Sequence, residues 1–446
     1  MMNFDINEVL NTLGISELNK MQKSAIDAFK QDKDIVLLSP TGTGKTLAYL
    51  IPLMQSICFS IDEPQAVIMV PTRELSQQTD AVIKSMKTKI RSVCCYGGRP
   101  AMEENRIMKN VKPHIVISTP GRLVDHLSKR NIETGKLRTL VLDEFDKCLE
   151  FGFRNEMKEA LTMMPLLEKR VLLSATYTDH IPDFVNIGNG WGDSTIKLDY
   201  TMEKDSVTDR IRFYTVSSPI KDKLETLKCL LSTLGSQQSI VFLNYRESVE
   251  RVFNYLHKEG FYCEMFHGGL EQEKRDKALY KFANGTSNIL VSTDLSSRGL
   301  DIPEIDNIIH YHIPLNEDAF VHRNGRTARW EANGNSYMIL NEEESIPEYV
   351  EMQYKEYYIP KKLPEIKPSE WATIYIGKGK KDNLSKIDIL GFLCKIGKLE
   401  KNDVGRIDVK EHYTFVAIRR TYISEVLKRV KGIKIKGIKT HFLEAK

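Results

Sequence analysis

The stretch Asp34-Ile35-Val36-Leu37-Leu38-Ser39-Pro40-Thr41-Gly42-Thr43-Gly44-Lys45-Thr46 limits the possible folds more than any other part of the chain. An apolar run enters a turn bearing two glycines and leaves into the apolar-periodic segment Leu47 to Ile57. Strand, turn and helix in that order frame a phosphate-binding loop. Gly42 and Gly44 let successive backbone N–H groups, those of Thr41 and Thr43 among them, converge on one point. There the helix N-terminus adds partial positive charge. Lys45 then reaches the β- and γ-phosphates of a nucleotide, and the Thr46 hydroxyl ligates Mg²⁺. The general Gly-x4-Gly-Lys-Ser/Thr pattern has glycine where this chain has Ser39. The bland alternative is a Gly/Thr-rich surface turn, against which the flanking strand and helix argue.

Upstream, residues 3–31 read as two helices, with Ile6, Val9, Leu10 and Leu13 on one face, Gly14 as a stop, and Gln22 to Phe29 as the second helix. Gln22 stands just before the loop strand, and its amide offers the donor–acceptor pair that reads an adenine edge. Downstream, buried-looking strands end in small, hydroxyl or basic groups. Ala66 to Val70 leads to Arg73, Val93 to Tyr96 leads to Gly97-Gly98-Arg99, and Ile115 to Ser118 leads to Thr119-Pro120-Gly121-Arg122. In parallel α/β sheets ligands bind at the strands' C-terminal edge. Hydroxyls, guanidinium groups and free N–H groups there suit a phosphodiester backbone, gripped without reading sequence.

Thr139 to Leu142 ends in Asp143-Glu144-Phe145-Asp146. Two adjacent carboxylates at a strand tip suit phosphoryl transfer to water: Asp143 holds Mg²⁺, and Glu144 orients and deprotonates the attacking water. Val171 to Leu173 ends in Ser174-Ala175-Thr176.

Composition sets bounds around these motifs. A chain of 446 residues supports two to four domains. The seven cysteines are odd in number and scattered, with no Cys-x-x-Cys pair. That argues for a reducing compartment and against a disulfide scaffold or structural zinc. The first residues carry acid where a signal peptide needs base, and no apolar run approaches about 18 residues. A cytoplasmic protein with no membrane association is expected. The net charge of +4 is uneven: residues 371–446 carry +10 and the preceding 370 carry −6. A compact basic tail points to a polyanion such as nucleic acid.

Residues 199–209 are polar and aperiodic and read as a linker. A second α/β set follows, without a phosphate loop of its own. It holds Thr293-Asp294, Arg298-Gly299-Leu300-Asp301 and His322-Arg323-Asn324-Gly325-Arg326-Thr327-Ala328-Arg329. Arginines three apart share a helix face and can neutralise charge developing on a γ-phosphate.

The segments Thr41 to Thr46, Pro71 to Leu75, Thr119 to Arg122, Asp143 to Asp146 and Ser174 to Thr176 resemble, in order and spacing, the motifs of the DEAD-box RNA helicases. The resemblance covers nearly the whole chain, and Ser39 agrees with it. It implies an RNA-stimulated ATPase that locally unwinds short duplexes, with ATP and Mg²⁺ as cofactors. By the same resemblance Asp301 holds the ribose, Arg326 and Arg329 are the fingers, and Asp146, Ser174, Thr176 and His322 couple the two domains. Arg73, Gly97, Gly98, Thr119, Arg122, Gln272, Arg275 and Thr293 are implied RNA-backbone contacts. Phe145 stands where the family has alanine, Ala328 where glycine is common, and Ile15, Leu18 and Lys20 where an aromatic and two prolines are usual.

Residues 356–370, rich in proline and lysine, read as a semi-rigid basic tether. Residues 371–446 follow a β-α-β-β-α-β plan, the ferredoxin-like order of RNA-recognition modules. Tyr413 and Phe415 are the nearest candidates for base stacking. Lys378, Lys380, Lys381, Arg419, Arg420, Lys434 and Lys436 suit a grip on folded RNA by its backbone. Ile376-Gly377 through Lys381, Asp388 to Gly391, Val404 to Ile407 and Ile435 to Gly437 resemble the C-terminal domain of DbpA-type helicases. That implies a large-subunit ribosomal RNA hairpin as anchor and a role in ribosome assembly. The full expectation is an α/β chain, monomeric, with two RecA-like domains at residues 1–198 and 210–355 and an RRM-like domain at 371–446. Two alternatives remain open at this point: a general helicase in messenger RNA turnover, and a non-hydrolysing, nucleotide-gated RNA clamp.

Overall fold

Short strands that are apolar at every position must be covered on both faces, and the first half of the chain folds accordingly. The computed structural model describes residues 5–40, 43–175, 181–185, 195–201, 211–294, 305–327 and 334–445. They fall into two compact units, one ending at residue 201 and the other starting at 211. The first unit is a parallel sheet of β1 (Asp34–Leu38), β2 (Ala66–Met69), β3 (Ser92–Cys95), β4 (Ile115–Ser118), β5 (Thr139–Leu142), β6 (Lys169–Ser174) and β7 (Thr195–Asp199). Its order is β3-β4-β2-β5-β6-β1-β7. Its helices are α1 (Ile6–Leu13), α2 (Lys20–Phe29), α3 (Lys45–Ser56), α4 (Arg73–Ser85), α5 (Ala101–Val111), α6 (Pro120–Ser128), α7 (Phe145–Glu150) and α8 (Arg154–Thr162).

The strand period of two divides the core. Ile35, Leu37, Ile68 and Ile117 pack with α2, α3 and α4, whereas Val36, Leu38, Val67 and Val116 face the other way, toward residues of α5 to α8. Phe145, at the alanine position of the tetrad, is buried in this second core. The sheet therefore has two dry faces, and what remains for function is the C-terminal edge of its strands.

The second unit repeats the plan. Strands β8 (Ile211–Ser218), β9 (Ser239–Leu243), β10 (Cys263–Phe266), β11 (Ile289–Thr293), β12 (Asn307–His310), β13 (Gly334–Asn341) and β14 (Tyr354–Glu356) lie in the order β10-β11-β9-β12-β13-β8-β14. That is the same permutation as in the first sheet, read seven strands later. Helices α9 (Leu224–Leu234), α10 (Arg246–Lys258), α11 (Gln272–Ala283) and α12 (Glu317–Asn324) connect these strands. β14 adds to the sheet at the point where the sequence suggested that the domain ends, because Tyr354 to Glu356 pair with Phe213 to Thr215. Likewise Asp199, expected in a linker, closes β7 opposite Leu38.

Residues 371–445 form β15 (Trp371–Ile376), α13 (Lys386–Lys395), β16 (Val404–Val409), β17 (Thr414–Arg419), α14 (Ile423–Val430) and β18 (Phe442–Glu444). The antiparallel order β16-β17-β15-β18 matches the β-α-β-β-α-β expectation. Ile374, Ile376, Val416 and Ile418 point to α13 and α14 on one face. The other face is not open for stacking bases. Phe415 is fully buried, its ring stacked on Tyr280 of α11 at 5.3 Å. The Tyr280 hydroxyl donates to the Arg406 carbonyl, and the Tyr413 hydroxyl donates to Asp276 at 2.9 Å. Thr373 bonds Thr286 at 2.8 Å and Asn284 at 3.1 Å, and Ser369 donates to the Gly285 carbonyl at 2.7 Å. The small domain is thus docked on α11 and the turn after it, through the sheet face that carries the stacking candidates Tyr413 and Phe415. Among the described residues, no helix is long and apolar enough to cross a membrane.

Candidate nucleotide and RNA site

The turn after β1 is held from three sides. Gly44 is left-handed at φ +89°, a backbone that favours glycine, and a Cβ there would lie 2.6 Å from the Gln22 side-chain nitrogen and displace it. Ser39 supplies what the general pattern leaves to glycine: its hydroxyl bonds that of Thr43 at 2.7 Å, and its carbonyl accepts from Lys45 Nζ at 2.6 Å. Asn19 caps α2 in a reciprocal box with Gln22, and its side chain donates to the Thr43 carbonyl at 3.0 Å. Gln22 also donates to the Gly44 carbonyl at 3.2 Å. An amide has two N–H groups and two lone pairs, so one of each remains for an adenine edge. The capping signal Asn19-x-x-Gln22 stands in the sequence and starts α2 at Lys20, two residues before the expected start.

Asp143 is reached from the phosphate-loop helix. The Tyr49 hydroxyl on α3, buried, donates to Asp143 Oδ2 at 3.1 Å, and the Glu144 N–H donates to Oδ1 at 2.9 Å. Burial pushes the Asp143 carboxyl up, while the Lys45 charge and the Tyr49 hydrogen bond pull it back. Burial and the Asp143 charge hold the Tyr49 phenol well above its ordinary value, so it stays a donor. Glu144 sits in the left-handed region at φ 49°, ψ 50°, a costly conformation for a non-glycine residue and one concentrated at functional sites. Asp146 and Ser174 are buried beside this edge. The oxygen donors of Thr46 and Asp143 are of the hard type that Mg²⁺ takes, and the glycine turn at the N-terminus of α3 suits polyphosphate. The residues present fit both groups.

On the adjacent strands β2, β4 and β3, the expected backbone-gripping residues come together. Thr72 caps α4, whose first residue is Arg73, and the Arg73 guanidinium packs on Gly97 and Gly98. Gly98 has φ +98°. Thr119 immediately precedes α6, which carries Arg122, and Arg122 Nη2 donates to the Arg99 carbonyl at 2.8 Å.

In the second unit, Gln272 opens α11 and donates to Asp276 at 3.0 Å. Arg275 is buried with its guanidinium 5.1 Å above the Phe266 ring. Thr293 ends β11, while His322 and Arg326 are buried at the end of α12 and in the turn after it. Their neighbour Arg323 is an organiser, bonding Asp294 at 2.5 Å, Asn244 at 2.7 Å and the His312 carbonyl at 2.7 Å. Thr41, Gly42, Thr176, Asp301 and Arg329 lie outside the described residues.

The basic residues of the small domain separate into two groups. Arg420 is committed to the docked seam: it donates to the Ser369 and Trp371 carbonyls at 2.6 and 2.7 Å and lies over the Tyr262 ring at 4.6 Å. Arg419 pairs with Glu370 at 2.5 Å over the Trp371 ring. Lys378 pairs with Asp382 and Lys436 with Asp388; Lys380, Lys381 and Lys434 are exposed, with Lys381 Nζ 3.4 Å from His412 Nε2.

Three family models match the chain: DEAD/DEAH box helicase over residues 19–184, Helicase conserved C-terminal domain over 222–331, and DbpA RNA binding domain over 373–442. The ATP-dependent RNA helicase DbpA of Escherichia coli strain K12 is 32% identical over 440 residues, covering 96% of this chain and 94% of its own. Its namesake in Bacillus subtilis strain 168 is 29% identical over 463 residues, covering 97% and 96%. Among solved structures, the DEAD-box helicase Mss116 bound to single-stranded RNA and UDP-BeF superposes with a TM-score of 0.70 at 27% identity, over 80% of this chain and 79% of its own. With Lys45 opening α3, Asp143 to Asp146 after β5 and the small C-terminal domain all among the described residues, the chain belongs to the DEAD-box ATP-dependent RNA helicases of DbpA type, RNA-stimulated ATPases.

Proposed function

We propose that the chain works in the cytoplasm as a monomer, hydrolysing Mg²⁺-ATP to melt short RNA duplexes beside a large-subunit ribosomal RNA hairpin during ribosome assembly. The observation that carries the motor half of this reading is the Tyr49–Asp143 hydrogen bond, which ties the phosphate-loop helix to the acidic tetrad at one sheet edge. Lys45, the backbone of residues 41–46 and the N-terminus of α3 bind the β- and γ-phosphates. Thr46 and Asp143 hold Mg²⁺, which when bound neutralises charge building on the phosphate oxygens. Glu144 orients the attacking water and accepts its proton. Gln22 reads the adenine edge with its remaining N–H and lone pair, and Asp301 holds the ribose. Arg326 and Arg329 stabilise the γ-phosphate as it leaves. Asp146, Ser174, Thr176 and His322 carry the nucleotide state to the RNA contacts.

RNA backbone is taken by Arg73, Gly97, Gly98, Thr119 and Arg122 in the first unit and by Gln272, Arg275 and Thr293 in the second. In the small domain the exposed Lys380, Lys381 and Lys434, with Lys378, Arg419 and Lys436, face the ribosomal hairpin. Support for that anchor comes from the DbpA RNA binding domain match and from the +10 charge of residues 371–446.

The test is ATP turnover by the full chain without RNA, with poly(U), and with a large-subunit ribosomal RNA fragment. Stimulation restricted to the fragment is the expected result. Equal stimulation by any RNA would leave the helicase and remove the ribosomal anchor, favouring a general helicase. Lys45→Ala should abolish nucleotide binding or turnover, and Glu144→Gln should retain binding without turnover. Wild-type turnover in both variants would refute the site assignment.

A further inference from the structure

Glu104 on α5 is fully buried, and a buried carboxylate requires donors on every side. It has three. Oε1 accepts the Tyr96 N–H at 3.0 Å; Oε2 lies 2.8 Å from His126 Nε2 and 3.5 Å from Arg122 Nη1. Asn131 Nδ2 meets His126 Nδ1 at 3.0 Å, an arrangement that makes Nδ1 the acceptor and directs the Nε2 proton at Glu104. His126 is itself fully buried.

These partners belong to different elements of the same edge. Tyr96 immediately precedes the Gly97-Gly98-Arg99 turn, and Arg122 reaches back to the Arg99 carbonyl at 2.8 Å. Arg73 packs under that turn, where a Cβ on Gly98 would stand 2.7 Å from its Nη1. Glu104 therefore holds the turn after β3 through a backbone N–H and, with Asp125 3.7 Å from the same Nη1, draws the α6 guanidinium through charge. Two of the three backbone-gripping segments of the first unit are fixed relative to each other through it.

We propose that Glu104, backed by His126, is a positioning residue for RNA: it holds the Gly97–Arg99 turn and Arg122 at the spacing that meets successive phosphates. This rests on the reading that this edge takes the RNA backbone. Charge-assisted hydrogen bonds to phosphate are geometrically specific, so a shift of either segment weakens the contacts it makes. Cys95 is also close, with ligand atoms of Cys95, Glu104 and His126 within 4.8 Å of one another. A metal is disfavoured there, because a guanidinium stands against the same carboxylate and burial keeps the thiol protonated.

The experiment measures binding of a labelled single-stranded RNA to the full chain with a non-hydrolysable ATP analogue, for wild type, Glu104→Gln, Glu104→Ala and Arg122→Ala. RNA-stimulated turnover and melting temperature are recorded in parallel. Glu104→Gln keeps an acceptor for the Tyr96 N–H and loses the charge facing Arg122. It should raise the RNA concentration for half-stimulation about 3- to 10-fold, with kcat at saturating RNA within about twofold. Glu104→Ala and Arg122→Ala should each weaken RNA binding about 10-fold or more. If Arg122→Ala weakens binding while both Glu104 variants bind as wild type, the positioning role is wrong and the RNA edge stands. If Arg122→Ala itself binds as wild type, the reading of the edge fails. A Glu104→Ala chain that melts lower, beside a Glu104→Gln chain with wild-type RNA affinity, would reduce Glu104 to core support and also overturn the proposal.

Discussion

Removing the Tyr280 side chain tests whether the small domain is a docked arm or a module on a tether. Tyr280 is nearly fully buried, stacks on Phe415 and bonds the Arg406 carbonyl, so it serves both the apolar and the polar part of the seam. Truncating a buried aromatic costs about 3–5 kcal/mol. At a seam that can part, the lower figure of about 3 kcal/mol is the appropriate one, and it shifts a docking equilibrium about a hundredfold. The remaining contacts are the hydrogen bonds of Tyr413 with Asp276, of Thr373 with Asn284 and Thr286 and of Ser369 with the Gly285 carbonyl, and Arg420 over the Tyr262 ring, each worth about 1 kcal/mol or somewhat more. They do not offset the loss. Hydrogen exchange with peptide resolution is the assay, comparing wild type, Tyr280→Ala and the exposed control Tyr358→Ala. Faster exchange is expected in α11 and β17 for Tyr280→Ala alone, while α13 and α14, packed on the opposite sheet face, keep their protection. Unchanged exchange at both sides of the seam would refute the docking argument. Loss of protection through α13 and α14 as well would show that Tyr280 supports the small fold itself and not its attachment.

Two further outcomes follow from single buried groups. Tyr49→Phe deletes the hydroxyl that donates to the buried Asp143 carboxylate, a charge-assisted bond worth about 1.5–3 kcal/mol. The melting temperature of the first unit should fall by about 3–10 °C and the Mg²⁺ concentration for half-maximal nucleotide binding should rise; no change in either would mean the bond contributes nothing. In the second unit, His310 Nδ1 faces Arg323 Nη1 at 3.4 Å, and its Nε2 contacts Asn324 and Ser336. Burial and the Arg323 charge hold the His310 imidazole well below its ordinary range; burial, Lys223 and Arg323 push His312 down to about 4. The unfolded chain takes up these protons near pH 6.5 and the fold does not. Stability is therefore full above about pH 6.5 and falls toward pH 4, by at most about 1.4 kcal/mol per pH unit for each imidazole and less for the partly solvated His312. Acid unfolding followed by circular dichroism should flatten in His310→Gln; an unaltered pH profile would count against this account.

Local motifs determined a great deal here. The chain order strand-turn-helix around Lys45, the carboxylates after β5 and the small groups after β2, β3 and β4 are readable because each is contiguous. Parallel sheets also gather such tips at one edge, whatever the strand order. The β-α-β-β-α-β tail was equally legible from periodicity. Pairings over long separations were not. Nothing in the sequence around Tyr49 announces a bond to Asp143, since an aromatic on an apolar helix face reads as core. Glu104 and His126 look like solvated helix residues until α5 and α6 are laid against β3 and β4. Tyr413 and Phe415 are only the nearest stacking candidates in a sequence whose glycine- and aromatic-rich signatures are weak, and periodicity alone does not say what meets them. Only the packing of the second unit against the sheet buries Phe415, ties Tyr413 to Asp276 and turns Arg420 from a candidate RNA contact into a seam residue. Sequence patterning reports which side of an element avoids water, because that depends on the spacing of side chains along one stretch. Which partner excludes the water is a property of two stretches brought together, and the tertiary structure alone decides it.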